Sequence, residues 1–263
     1  MWTEWLWQIF SVWFVTAIAM TLGWLVQYRT RNAGIVDAIW SASMGASAIY
    51  YAVVGHGARL PRELLALLAG LWAARLCLFL IARIRGEPED GRYRYLRQHW
   101  QDSQPKFFLF FQAQALFTTI FSLPFLAVAS SHGEHPWLLM TGAVVWVISI
   151  GGEALADQQL ARFRKDPAGH GKTCRTGLWR YSRHPNYFFE WTHWFAYLLL
   201  AIGSPVWWLA LLGPLLMLGS LYWVTGIPFT EAQALRTRGE DYRSYQRTTS
   251  PFIPWPPKRS NTP

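Results

Sequence analysis

Residues 175–190 read Arg-Thr-Gly-Leu-Trp-Arg-Tyr-Ser-Arg-His-Pro-Asn-Tyr-Phe-Phe-Glu, and an apolar run continues beyond them. Three arginines lead into Pro185, which suits a first helical position because the N–H it lacks would have no helical partner there. The chain then turns apolar, as at the edge of a membrane-spanning helix. Glu190 lies one turn inside, where an ionisable group costs several kcal/mol unless it faces a partner or a wet cavity. The cations and the N–H groups just past Pro185 suit a charged, phosphate-bearing ligand at this edge.

Composition places the whole chain in the same class. Of 263 residues, 52% are hydrophobic and only 15% charged, and seventeen tryptophans suit interfacial aromatic belts. Apolar runs of spanning length, about 20 residues each, fall near 5–26, 34–54, 62–83, 107–129, 137–157, 186–203 and 206–229. None alternates as a strand. The expected fold is all-α: one polytopic membrane domain with seven transmembrane helices, 1–130 carrying the first four and 131–263 the last three with their loops. The second run is the least apolar, with Asp37, Ser41, Ser43 and Ser47. The N-terminus begins Met-Trp-Thr-Glu without a basic segment, so the first run is expected to remain as a helix.

The cations orient these helices. With the odd-numbered helices ending inside, all 24 cations but three fall on cytoplasmic segments, the C-terminal ones including Lys258 and Arg259. Arg59 and Arg62 fall outside and Arg75 lies mid-helix. Such asymmetry predicts the N-terminus out and the C-terminus in. The formal charge of +9 is then topological and implies no nucleic-acid partner. Arg162, Arg164, Lys165, Lys172 and Arg175 form a denser loop, able to neutralise several phosphates through bidentate guanidinium contacts.

Three polar constellations interrupt the apolar runs. Glu153 and Asp157 are four apart and Arg164 follows seven later, so the three share a helix face. They either lock one another structurally or hydrogen-bond the ribose hydroxyls or carboxamide of a cofactor. Asn186, Glu190 and His193 share a face of the sixth helix, His193 reading as a packed residue. Asp37 opens the second helix with Trp40 and Ser41 on its face. It is either an acid favoured by the helix dipole or a protonated hydrogen-bond donor to a substrate carbonyl.

Other chemistries find no pattern. Gly169-His-Gly-Lys-Thr173 echoes a P-loop, but Asp166 stands where the first glycine is needed. No glycine-rich dinucleotide fingerprint follows a strand, and no His/Cys spacing suggests a metal. Cys77 and Cys174 imply no disulfide framework.

The segment Gly177–Glu190 resembles the signature of the steroid 5α-reductase family, especially its bacterial membrane branch. The segments Ile35–Trp40, Glu89-Asp-Gly-Arg-Tyr93 and Tyr242–Trp255 resemble it too. The resemblance covers nearly the whole chain. It implies an inner-membrane protein with seven helices, NADPH held on the cytoplasmic side among the last three, and a cavity for a lipophilic enone among the first four. By motif, Glu153, Asp157, Arg164, Asn186 and Glu190 fall on cofactor positions. Lys172, Arg175 and Tyr181 of the basic loop join them, with Arg83 and Arg85 reaching phosphates. The family's animal members grip a 3-oxo group with a Gln-Glu pair and a tyrosine; here Asp37 stands on the second helix and Trp72 on the third.

The resemblance thus implies hydride transfer to an activated C=C bond. Asp37 is expected to polarise the carbonyl, helped by Tyr93 or Tyr50, with Trp40 and Trp72 against the substrate. The alternative is a membrane S-adenosylmethionine methyltransferase of the isoprenylcysteine or phospholipid kind, which shares the Arg-His-Pro signature and a Tyr-x-x-Tyr tail. A degenerate lipid-binding protein is a third. No small-residue stripe dominates a helix face, so a monomer among membrane lipids is expected.

Overall fold

The computed structural model describes residues 2–133, 135–224 and 226–258. Among these the chain is helical throughout, without strands. The helices are α1 (Trp2–Thr30), α2 (Ile35–Val54), α3 (Arg59–Gly86), α4 (Gly91–His99), α5 (Gln104–Phe121), α6 (Leu123–Ala129), α7 (Pro136–Lys165), α8 (Pro185–Leu200), α9 (Leu212–Gly219) and α10 (Ile227–Thr248). Five stretches are long and apolar enough to cross a membrane: Trp2–Thr30, Arg59–Gly86, Gln104–Ala129, Pro136–Lys165 and Trp207–Thr248. The other two expected runs form α2, diluted by Asp37 and its serines, and α8, only 16 residues long. Within Trp207–Thr248 the apolar residues come first, and the charged stretch from Glu231 onward lies outside the span. Arg259, counted among the C-terminal cations, lies outside the described residues.

By contacts the chain forms two compact units, residues 1–139 with 197–213 and residues 140–196 with 214–263. In the first unit, α1 presents Trp2, Leu6, Trp7, Phe10 and Phe14 outward, as a lipid-facing helix does. Its inner stripe is Gln8, Val12, Thr16, Met20, Gly23 and Gln27. At Gly23 the end of the Ile39 side chain of α2 lies against the α1 backbone, in the place a Cβ would take. Small residues also bring α2 close to α3. A Cβ on Gly45 would stand 2.7 Å from that of Ala73, and the Ser41 hydroxyl donates to the Ala73 carbonyl at 2.9 Å. One end of this unit packs around Met20, Val36, Tyr93, Phe107 and Phe111, with Trp24, Trp40 and Trp100 at the margin.

In the second unit, α7 and α8 approach closely at Gly152, where the Phe189 ring occupies the place of a side chain at 2.5 Å. The Trp191 indole N–H donates to the Pro214 carbonyl at 3.0 Å. A C-terminal strap runs back over residues 181–183. Arg183 N–H donates to Ser250 O at 2.9 Å, the Ser182 hydroxyl to Phe252 O at 2.7 Å, and Trp255 N–H to Tyr181 O at 2.9 Å.

Candidate functional site

Each unit carries its own polar cluster. In the first unit the cluster is assembled by α4, a short polar helix that begins because Asp90 caps it, accepting from Arg92 N–H at 2.9 Å. The start of α4 sets Arg92 and Tyr93 against the first turn of α2. Asp37 Oδ1 accepts from the Tyr93 hydroxyl at 2.6 Å, and Oδ2 faces Arg92 Nη2 at 3.2 Å. Arg92 also meets Asp90 at 3.2 Å, and Arg83 reaches Asp90 at 2.8 Å and Glu87 at 3.3 Å. A cleft beside these groups is bordered by Asn32, Asp37, Leu80, Arg83, Pro88 and Asp90.

Tyr93 is buried, and its burial and the neighbouring Asp37 carboxylate both raise its phenol well above the ordinary value. It therefore stays a neutral donor at every physiological pH. Burial works against the ionised form of Asp90, but Arg92 and Arg83 prevail and hold it below the usual carboxylate range. A further set of ion pairs fixes α4. Arg97 holds Glu89 at 2.8 Å and Asp102 at 2.6 Å, stacks 4.7 Å above Phe107, and contacts Gln27 of α1 at 3.3 Å. Glu89 also accepts from Ala33 N–H at 2.8 Å, which ties the α1–α2 turn to α4 through Arg97.

Asp37 and Tyr93, the expected catalytic pair, are thus in contact. Both Asp37 oxygens are acceptors, because α4 brings a phenol and a guanidinium to them, and the donor is Tyr93. Tyr50 stands thirteen residues along α2, about 20 Å from Asp37 at 1.5 Å per residue, so it takes no part. Trp40 packs edge-on against Trp72 and Phe121 at 6.1 and 5.9 Å. Trp72 is fully buried. The buried Trp40 indole N–H has no hydrogen-bond partner among the described residues. Arg83 is engaged by two carboxylates, whereas Arg85 is exposed. Asp90 and Arg92 entered the sequence reading only within the Glu89–Tyr93 segment and were given no site role, although Asp is a preferred residue at a helix start.

The second unit gathers the signature residues. Asn186 at the start of α8 donates to Asp157 Oδ1 of α7 at 3.1 Å, and Glu153 lies buried one turn before Asp157. The turn Gly177–Arg180 is pinned to α7: Leu178 N–H donates to Gln159 at 2.8 Å and the Trp179 indole to Ala156 O at 2.9 Å. Gly177 has φ +59° and its missing Cβ leaves room for the Gln159 amide, so any other residue is strained there. Glu190 is half-buried one turn along, 3.9 Å from the fully buried His193. Carboxylates and an amide on adjoining helices are the donor and acceptor set that ribose hydroxyls and a carboxamide require.

The remaining signature cations divide. Arg164 and Lys172 are exposed, as is Tyr181, which lies under Arg180. Arg175 is taken up by α10, donating to Asp241 Oδ1 at 2.9 Å and to the Ser244 hydroxyl at 2.7 Å. Arg183 holds Glu231 at 2.7 Å and donates to the Gln246 and Thr249 carbonyls at 2.9 and 3.1 Å. His184 meets the same Glu231 oxygen at 3.2 Å, and Gln246 donates to the other at 2.7 Å. Burial opposes ionisation of Glu231, yet His184, Arg183 and Gln246 together lower it to about 2. His184 is itself held below the ordinary histidine value, chiefly by burial. The Arg-His-Pro part of the signature therefore secures the chain, while Asn186 turns to Asp157 and Arg164 and Lys172 are left exposed.

No curated protein and no solved structure matches the chain. One family model does, over residues 23–249, and with that extent of match the chain belongs to the family described as protein of unknown function (DUF1295).

Proposed function

We propose that the chain is an NADPH-dependent membrane reductase that saturates the C=C bond of a lipophilic enone, such as a 3-oxo-Δ4 steroid or a related lipid. In this proposal seven helices cross the inner membrane, α2 and α8 included, with the N-terminus outside and the cofactor residues on the cytoplasmic side. The observation that carries the reading is the buried Tyr93 hydroxyl between the half-buried Asp37 and Arg92 side chains, beside a cleft. The relation of the chain's family to steroid 5α-reductase-like membrane proteins supports it.

The residues of the second unit suit the cofactor chemically. Asp157 and Glu153 offer acceptors to ribose hydroxyls, Asn186 and Glu190 suit a carboxamide, and Arg164 and Lys172 suit phosphates. Bound NADPH supplies a hydride for the enone β-carbon. Tyr93, released from Asp37, donates its hydrogen bond to the carbonyl oxygen, where negative charge develops. Donors of this kind contribute about 10²–10³ in rate when prearranged in a dry site. Arg92 offsets the developing charge, and Asp37 holds both partners in place between turnovers. Solvent returns the proton to the α-carbon.

The test is nucleotide binding by detergent-purified protein. NADPH should raise the melting temperature by mass action, and Asn186→Ala and Arg164→Ala should abolish the shift. Stabilisation by S-adenosylmethionine alone would overturn the reductase in favour of a methyltransferase.

A further inference from the structure

One face of α4 stays outside the first unit. The helix lies across the ends of its neighbours. Tyr93 meets Asp37 in the first turn of α2 at 2.6 Å, and Arg97 meets Gln27 in the last turn of α1 at 3.3 Å. Arg97 also stacks 4.7 Å from Phe107 in the first turn of α5. Connections of four residues, 87–90 and 100–103, join α4 to α3 and α5, and a connection of that length reaches no more than about 14 Å. The stretches of α1, α3 and α5–α6 are long and apolar enough to cross a membrane. With those stretches in a bilayer, α4 lies level with the lipid headgroups.

Tyr93 and Arg97, one turn apart, face the unit, which leaves Arg94, Tyr95, Gln98 and His99 exposed on the other side. The Tyr95 and His99 rings stack nearly parallel, 5.9 Å apart at 6°, next to Arg94 along the helix. The acids at this end are engaged inward. Arg92 holds Asp37 and Asp90, Arg83 holds Glu87, Arg97 holds Glu89, and Arg31 and Arg97 hold Asp102. Among the described residues Arg94 has no ion pair, nor has Arg85 at the end of α3 or Lys106 at the start of α5, and all three are exposed. The charge left facing outward is therefore positive. A guanidinium fork matches phosphate in shape as well as charge, and an exposed tyrosine suits the membrane–water interface.

We propose that this outer face, Arg94 with Tyr95 and His99, binds the phosphate headgroup of an anionic phospholipid, and that the contact steadies the helix carrying Tyr93 and Arg92. The contact rests on the membrane reading above and not on the reductase. Hydrogen exchange across 91–99 is measured in nanodiscs of phosphatidylcholine and of equal parts phosphatidylcholine and phosphatidylglycerol. The proteins are wild type, Arg94→Gln, Arg94→Lys and Arg236→Gln, the last a control on an exposed cation of α10. Phosphatidylglycerol should slow exchange across 91–99 by about fivefold, the worth of one cation at an anionic surface. Arg94→Gln should remove most of that slowing and keep the wild-type rate in phosphatidylcholine. Arg94→Lys should retain part of it, and Arg236→Gln should leave it whole.

Exchange that ignores the lipid, or that slows as much in Arg94→Gln as in wild type, overturns the contact. Slowing shared equally by α7 is a general effect of lipid charge and overturns it too. Inorganic phosphate added to phosphatidylcholine discs should change little; if it slows 91–99 as much as the lipid does, the face takes a soluble anion and the lipid is overturned. NADPH stabilisation without a lipid effect removes the contact and keeps the reductase. A lipid effect lost in Arg94→Gln, without NADPH binding, keeps the contact and removes the reductase.

Discussion

Tyr93 is a phenol whose surroundings keep it from ionising, and a neutral phenol next to a cation is the donor a developing enolate needs. Tyr93→Phe keeps the ring within the Met20, Phe107 and Phe111 cluster and removes only the hydroxyl. With the enone found by screening, kcat/KM should fall by about 10²–10³ while NADPH affinity holds; unchanged kcat/KM would remove Tyr93 from the chemistry. Glu231 makes a different kind of prediction. Folding lowers its carboxyl from 4.5 to about 2, so its contribution is complete above about pH 4.5 and is lost as the pH falls toward 2. The amount is on the order of 3 kcal/mol. His184 acts in the same sense, since the unfolded chain takes up a proton near pH 6.5 that the buried imidazole resists. The melting temperature should therefore fall steadily from pH 7 to pH 3, and Glu231→Gln should lower it at pH 7 and flatten the profile below pH 4.5. A wild-type profile flat over that range would contradict the pairing.

At the scale of elements, two short pieces do most of the positioning. The nine-residue helix α4 is too short and too polar to persist alone. It depends on the Asp90 cap and on Arg97, which joins it to Glu89, Asp102 and Gln27. Asp90→Ala removes the cap, worth about 1 kcal/mol, and also frees Arg83 and Arg92. Hydrogen exchange across 91–99 should quicken while α7 is unaffected; equal change in both would show a general loss of stability instead. The turn Gly177–Arg180 stands just before Asn186. In Gly177→Ala, the left-handed backbone and the Gln159 contact both oppose a side chain. NADPH binding should weaken while the fold survives, and retained full affinity would separate the turn from the cofactor.

For the whole molecule, the distribution of charge makes the proposed topology testable. In a variant without Cys77 and Cys174, Arg59→Cys should react with a membrane-impermeant maleimide added outside cells, and Lys258→Cys only after lysis. The opposite pattern would invert the orientation. Much of the class was legible from residues alone, since the long apolar stretches became helices, whereas the contact of Asp157 with Asn186 joins two groups that the sequence had kept apart. The weak second run became a well-packed helix because Ser41 and Gly45 turn toward α3. Its polarity marks a helix–helix contact as well as Asp37.

Helical architecture, with stretches long and apolar enough to cross a membrane, and the position of each charged residue along it were determined by the sequence by itself. Hydrocarbon rewards long apolar runs and penalises charges locally, residue by residue. The choice of partner was decided only in three dimensions. Arg92 takes Asp37 from 55 positions away, and Arg175 and Arg183 are absorbed by α10. Guanidinium groups are interchangeable in sequence, and ion pairing depends on distance and burial, which the packing of helices sets.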